Sequence, residues 1–492
     1  MGDFNAVIGL EIHIQLNLSH KMFSPERFEF GMLSNMLTSP VSLALPGTLP
    51  TVNMQAFDSA IKLGLACHAD ITSQNHFSRK NYFYPDLPKG YQITQDETPI
   101  CRNGFICFDV AGKERKINLT RIHIEEDAAS LKETNIVGQY HFNDSGKKMN
   151  IDFNRACVAL LEVVTEPDFT SSEEVFFFLR EFRRIVRYLN ISNGNMEEGS
   201  MRCDANVSVR PKGSTTLGPR IELKNMNSIS HVQKAIEYEI HRQQDVITSG
   251  GNIEQQTRMF DVMTATTVFQ RDKEKKKDYK YFDEPDIETI TITKKHIENV
   301  RQTMPLLPYE YKKKLMNEYG LNSFQSETLI EDKDLIELYE HICSDGFKNY
   351  ITVAKWLLGP IKGFINELKI NISDFNIPVV HLRQLISMVF EGRISYTAAS
   401  QEILKAMFDH PENPPENIAN QLNLLQVDDD EYISTLADQV LTQYKDKIIE
   451  YKNGKKGLLG LFVGEVLKLS CGKANPQKTS SIITKMINNY NR

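Results

Sequence analysis

The stretch Val7-Ile-Gly-Leu-Glu-Ile-His-Ile-Gln-Leu16 alternates strictly between apolar and polar residues. In an extended strand successive side chains point to opposite faces. Leu10, Ile12, Ile14 and Leu16 therefore share one face, and Glu11, His13 and Gln15 share the other. Three more segments repeat the pattern. In Arg121–Glu125, Ile122 and Ile124 oppose Arg121, His123 and Glu125. In 202–209, Cys203, Ala205, Val207 and Val209 oppose Arg202, Asp204, Asn206 and Ser208. In 220–224, Ile221 and Leu223 oppose Arg220, Glu222 and Lys224. An antiparallel sheet with one wet face accounts for any single segment. It does not account for the recurring choice of carboxylate, imidazole and guanidinium. If the four segments share a sheet, these groups converge in a cleft.

Around these strands, residues 1–293 read as an α+β domain built on a mixed, largely antiparallel sheet with helices. Ser171-Ser-Glu-Glu174 opens a helix with a capping-box pattern, followed by Val175, Phe178, Leu179, Phe182, Ile185, Val186 and Leu189 at helical spacing. Arg180, Arg183, Arg184 and Arg187 share another side of that helix, which reads either as a solvated face or as a phosphate contact. After Thr293 the strand patterns thin out, and Pro305 and Pro308 mark a break. Amphipathic helical patterns then fill residues 294–393, an all-helical domain. Residues 394–492 read as a helical tail domain, with helices over Tyr396–Phe408 and Ile433–Tyr451 separated by the proline-rich loop Asp409–Glu416.

The 492-residue chain is long enough for a sizeable core, with 41% hydrophobic and 25% charged residues. Its net charge of −7 argues against non-specific nucleic-acid binding by the whole surface. The distribution is uneven: Lys445 to Arg492 holds ten basic residues against three acids. That suits either a localised polyanion contact or a solubilising surface. Seven scattered cysteines do not resemble a disulfide framework, the first residues lack a signal-peptide layout, and no apolar run is long enough for a membrane span. A cytoplasmic protein without a membrane partner is expected.

Carboxylates joined by one or two imidazoles suit a hard or borderline divalent ion. Magnesium there would keep water and a phosphate, and Arg202, Arg220 and Lys224 would balance phosphate charge. No G-x-x-x-x-G-K-[ST] loop occurs, so nucleotide binding has to rest on metal and basic side chains. The loop Arg79-Lys-Asn-Tyr-Phe-Tyr-Pro-Asp-Leu-Pro-Lys-Gly90 mixes basic and aromatic residues suited to nucleotide or phosphate. No cysteine or serine sits in a setting that suggests a covalent nucleophile.

At these residues the sequence resembles the B subunits of the aspartyl/glutamyl-tRNA amidotransferases. The matching motifs run in order through Val7–Gln15, Leu45–Asn53, Arg79–Gln92, His123–Asp127, Leu161–Asp168 and Met196–Val209. They continue through Glu222–Ser228, Asp278–Phe282 with Glu284-Pro-Asp286, Val463-Gly464 and Gly472–Pro476. The resemblance implies an N-terminal cradle domain that uses ATP and Mg2+ to phosphorylate the side-chain carboxylate of Glu on tRNA(Gln) or Asp on tRNA(Asn). Ammonia from glutamine, hydrolysed on a partner A subunit, then displaces the phosphate, and a small C subunit ties A and B together. It implies a catalytic set of Glu11, His13, Glu125, Glu126, Asp204 and Glu222, with the metal on Glu11, His13 and Glu125. The cofactor-binding set is Arg79, Lys80, Lys89, Arg202, Arg220 and Lys224; Arg79, Lys80 and Lys89 serve either the nucleotide pocket or the mouth of the ammonia channel. Lys455, Lys456, Lys468 and Lys473 would face the tRNA, in keeping with the basic C-terminal stretch. A tRNA-holding scaffold without chemistry and a free-standing carboxylate phosphotransferase are the competing readings. The chain departs from the family at Ser39-Pro-Val-Ser42, where many members have Cys-Pro-Val-Cys, which leaves a poor zinc site. Other departures are Ala129 and Ser130, Cys157 and Ala159 in Arg155–Ala159, and Gln256.

Overall fold

The strands that follow one another across the main sheet are, in chain order, β1 (Phe4–Gln15), β2 (Ser78–Asn81), β3 (Tyr91–Thr94), β4 (Lys113–Glu126), β5 (Ala159–Thr165), β6 (Met201–Pro211), β7 (Ile221–Lys224), β8 (Gln256–Asp261), β9 (Thr266–Asp272) and β10 (Phe282–Asp283). Across the sheet they run β9-β8-β7-β6-β1-β5-β4-β3-β2-β10, so the opening strand lies at the centre. Neighbours pair antiparallel except β7 and β8, which run parallel. This is the mixed, largely antiparallel sheet expected, in a computed structural model that describes residues 4–134, 148–272, 279–426, 429–470 and 472–489.

The apolar face of β1 is sealed: Ile8, Leu10, Ile12 and Ile14 are all buried. Their core also takes in residues of α1 (Met54–Ala66), α2 (Ser172–Tyr188) and α3 (Ile229–Thr248). Ser171 caps α2 by accepting from the Glu174 amide at 3.2 Å. The reciprocal bond of the box goes one residue early, from the Thr170 amide to Glu174 at 2.8 Å. The arginine stripe of α2 is mixed, with Arg187 exposed and Arg180 and Arg183 half-buried. Arg184 is buried and bonded to Glu181 at 3.3 Å, and Arg187 donates to the Asn193 carbonyl at 2.7 Å.

Gln243 of α3 continues the ladder where β7 ends. Its side-chain oxygen accepts from the Val209 amide and its nitrogen donates to the Val207 carbonyl, each at 3.1 Å. The same nitrogen donates to Glu239, at 2.9 Å. A buried amide group left without a partner costs about 1–3 kcal/mol.

The chain divides into two units, Met1–Tyr311 and Lys312–Arg492. The named elements of the second unit are helices, as the sequence predicts, with one isolated bridge between Ile394 and Leu425. Its last part has its own core, including Ile433, Val440, Phe462, Val466, Ile483 and Ile487. The stretch expected as one helix over Ile433–Tyr451 is two, Asp430–Gln443 and Lys445–Lys452, broken at Tyr444. No helix among the described residues is long and apolar enough to cross a membrane.

Gln243→Leu, which leaves both backbone groups of β6 unbonded, is expected to lower stability by about 3 kcal/mol. Urea unfolding followed by circular dichroism measures it, and an unchanged midpoint contradicts the role given to Gln243.

Candidate active site

Cross-strand pairing decides which polar side chains meet. On one side of β1, Glu11 stands opposite Asp204 and His13 opposite Arg202 in β6. On the other, His13 stands opposite Glu162 in β5, and Glu162 opposite His123 in β4. Glu125 follows two residues after His123 and so shares its face. Directly opposed residues on one face have their Cβ atoms about 5 Å apart. The wet faces of β1, β4, β5 and β6 are thus one surface.

The side chains close on each other there. His13 Nε2 lies 3.3 Å from both Glu125 Oε1 and Glu162 Oε2, and 3.9 Å from Glu11 Oε1. His123 Nε2 lies 3.3 Å from Glu162 Oε2 and 3.7 Å from Glu125 Oε2. Burial opposes charging of every group, but the two rings and the acids support one another's charge. Hydrogen bonds to Glu125 and Glu162 hold His13 well above the usual histidine value, despite burial. His123, buried but beside the Glu162 charge, is pushed up to about 9. Glu125, also buried, is brought down to about 2 by the hydrogen bonds from His123 and His13. Glu162 lies well below its ordinary value because the charge of His123 outweighs burial. Glu11 moves the other way, raised by burial and then by the Glu162 charge.

Two overlapping triads, Glu11-His13-Glu162 and His123-Glu125-Glu162, each bring their ligand atoms within 4.8 Å of one another. The donor set of three carboxylates and two imidazoles fits a divalent cation, with oxygens for a hard ion and nitrogens for a borderline one. His123 Nδ1 is buried with no hydrogen-bond partner among the described residues, a polar position that these residues leave unsatisfied. Such a cation would take over the charge balance that the imidazolium protons supply here.

A second polar group adjoins Glu11. Lys224 is bonded to Asp204 and lies 3.6 Å from Glu222, which also accepts from Thr257 at 3.0 Å. Burial opposes the ammonium, yet the Asp204 and Glu222 charges raise its pKa. Arg202 is held at 2.6 Å by Asp127, which also faces Arg155 at 3.2 Å.

Other residues expected in the site lie elsewhere. Glu126 is next to Glu125 in β4 and therefore turns to the opposite side of the sheet. There it pairs with Lys89 and accepts from the Ile93 amide at 2.8 Å. Arg79 spends its fork on Glu284, at 2.7 Å, and on Asp286, at 2.9 Å, and lies over the Tyr91 ring. Arg220 precedes β7 and is solvent-exposed, so the strand predicted from 220 starts one residue later. Lys80 does lie on the acid side, because it pairs with Gln92 as Ser78 pairs with Thr94, whose hydroxyl donates to Glu125 at 3.3 Å. In the second unit Lys455, Lys456, Lys468 and Lys473 are exposed; Lys455 pairs with Glu450 at 2.9 Å and Lys468 approaches Glu465 at 4.0 Å.

Glu162 was not among the expected site residues, yet it touches both rings. It stands in Ala-Leu-Leu-Glu-Val-Val-Thr165, a run without alternation, so no wet face marks it. The only signal was a single carboxylate inside an otherwise apolar strand, which needs a partner to be buried. Ser39 and Ser42 close on each other, the Ser39 amide donating to the Ser42 hydroxyl at 2.9 Å. The buried Lys21 ammonium donates to Leu37 O at 2.8 Å and pairs with Glu26 at 3.1 Å. Cys157 takes φ +69, a region that disfavours a side chain.

Comparison with known proteins gives the family of the chain. Residues 6–298 match the family described as "GatB/GatE catalytic domain", and residues 337–487 match "GatB domain". The chain is 41% identical over 488 residues to the B subunit of the aspartyl/glutamyl-tRNA(Asn/Gln) amidotransferase of Geotalea daltonii, covering 99% of both chains. It is 40% identical over 488 residues to the corresponding protein of Geobacter sulfurreducens, again with 99% of each covered. That of Persephonella marina is 38% identical over 485 residues, with 99% of this chain and 100% of the other covered. The chain belongs to the family of aspartyl/glutamyl-tRNA(Asn/Gln) amidotransferase B subunits.

Proposed function

We propose that this chain is the subunit that activates and amidates the amino acid of a mischarged tRNA, using ATP and Mg2+. The observation that carries the reading is the meeting of Glu11, His13, Glu125, Glu162 and His123 on one wet sheet face. A carboxylate does not react with ammonia at neutral pH, so one of its oxygens has to become a leaving group. Transfer of the terminal phosphoryl group of ATP to the Glu or Asp side chain does this without an enzyme nucleophile. Positioning and charge stabilisation are then the protein's main tasks. Mg2+, when bound, neutralises phosphate charge and orients the transferring group.

Glu11, His13, Glu125 and Glu162 would hold the ion, with His123 paired with Glu125 and Glu162 on the same face. Lys224, fixed by Asp204 and Glu222, and Arg202, fixed by Asp127, would face the phosphates. The Lys89–Glu126 pair lies on the other side of the sheet, where Lys89 borders a cavity of about 230 Å³ with Phe23, Pro88, Tyr91 and Ile93. That setting favours the ammonia path over the nucleotide for Lys89. The expected partners are a glutaminase A subunit and a small C subunit in the cytoplasm. Residues 294–393 and 394–492, with Lys455, Lys456, Lys468 and Lys473, would hold the tRNA.

The reconstituted three-subunit complex should form Gln-tRNA(Gln) or Asn-tRNA(Asn) from glutamine only when ATP is present. Product without ATP, or none from either mischarged tRNA, would overturn the reading. The isolated chain should release no ammonia from glutamine; release by it alone would count against the division of labour.

Glu162→Gln should weaken Mn2+ binding by about tenfold or more, a loss typical for a ligand or its immediate support. Titration of the complex by electron paramagnetic resonance reads this, and unchanged affinity removes Glu162 from the site. Glu125→Gln should abolish acyl phosphate formation while sparing tRNA binding. Normal ATP turnover on charged tRNA in that variant would contradict the role.

A further inference from the structure

The acid face extends beyond the metal-competent cluster into a wall of tyrosines. Thr94 of β3 bonds to Glu125, and β3 carries the face on to Lys80 of β2 through the Gln92–Lys80 pair. The extended run continues one residue further, because the Tyr82 amide donates to Gly90 O at 3.1 Å. By alternation Tyr82 follows Lys80 on this face. A second segment lies alongside: β10 pairs with β2, and Asn81 donates to the Lys280 carbonyl at 2.7 Å. This brings Tyr279 and Tyr281 to the wall. The ring centres of Tyr82 and Tyr279 are 6.0 Å apart at 80°, and those of Tyr279 and Tyr281 are 6.4 Å apart at 71°. Lys80 Nζ lies 5.0 Å from the Tyr279 centroid and 5.9 Å from that of Tyr82.

Three features separate this wall from ordinary packing. None of the three tyrosines belongs to the apolar core of the first unit. The rings stand nearly perpendicular, so none is stacked flat on another. The wall also lies beside the acids: burial raises the hydroxyl pKa of Tyr82, with Glu125 the next cause, and burial, Asp96, Glu125 and Glu162 raise that of Tyr281. Half-buried tyrosines with a lysine ammonium over their rings carry the two features that hold unpaired bases, aromatic stacking and cation–π attraction.

We propose that Tyr82 and Tyr279, with Lys80, stack the 3′-terminal adenine of the substrate tRNA. The proposal rests on the amidotransferase reading and deepens it. The carboxylate to be phosphorylated belongs to the amino acid esterified to the terminal ribose. That adenosine therefore has to sit within one side chain's reach of the acid cluster. The adenine of ATP is under no such constraint, since a ribose and a triphosphate separate it from the reacting phosphorus.

The test compares, in the three-subunit complex without ATP, binding of intact uncharged tRNA with binding of tRNA lacking its 3′-terminal adenosine. Trimming should weaken binding to the native complex by about tenfold, the order of one base stacked on an aromatic ring. It should matter little for Tyr279→Leu or for the double variant with Tyr82→Leu. Tyr279→Phe and Tyr82→Phe should behave as native, because stacking needs the ring and not the hydroxyl. The KM for ATP should be unchanged in Tyr279→Leu. An equal effect of trimming in native and leucine variants would overturn the proposal, as would a rise confined to the KM for ATP. Because the binding comparison reads no product, a complex that fails to amidate contradicts the functional reading and leaves this comparison able to give its own answer.

Discussion

Glu11, Glu125 and Glu162 are held on one face of a paired sheet whose register cannot slip without turning every side chain over. Two like charges about 4 Å apart repel by roughly 4 kcal/mol at the dielectric of a protein surface. The cluster therefore demands countercharge, and His13 and His123 stand between the acids. Everything proposed for the site follows from that demand. A sheet that forces acids together, with rings whose protons balance them, is also a sheet ready to exchange those protons for a divalent ion. The apolar side of the same strands supplies the rigidity, because Ile8, Leu10, Ile12 and Ile14 are locked in the core directly behind the acids.

The two sides of the sheet carry different chemistry on adjacent residues. Glu125 faces the rings and Glu126 faces Lys89. On the proposed reading, phosphoryl transfer would take place on the first side, where the charge is gathered. The second side pairs a half-buried lysine with a buried carboxylate next to a separate cavity. Such a division would let activation and ammonia delivery approach one carboxylate from different directions.

The sequence made some of this plain and hid the rest for definable reasons. Strands with one wet face announce themselves, and β1, β4, β6 and β7 were read from alternation alone, down to the faces of Glu11, His13, Glu125, Asp204 and Lys224. The central strand β5 carries its one acid in an apolar run, so Glu162 gave no periodic signal. Glu126 was grouped with Glu125 by motif, although strand parity separates neighbours. Of the partners of the α2 arginines, Glu181 lies three residues before Arg184 on the same helix, within reach of a spacing argument, whereas the Asn193 carbonyl meets Arg187 only where the chain turns beyond the helix end. The tyrosine wall joins residues about two hundred positions apart, and no local pattern connects Tyr82 with Tyr279.

The proposed chemistry requires a cation held between the strands. Anomalous diffraction from crystals of the complex soaked in Mn2+ tests this most directly. It should show a peak within about 2.0–2.4 Å of donor atoms from Glu11, His13 and Glu125 or Glu162, the range expected for a hard divalent ion. A peak elsewhere on the chain, with the His13 and Glu162 side chains still bonded to each other and the face without metal, would contradict it.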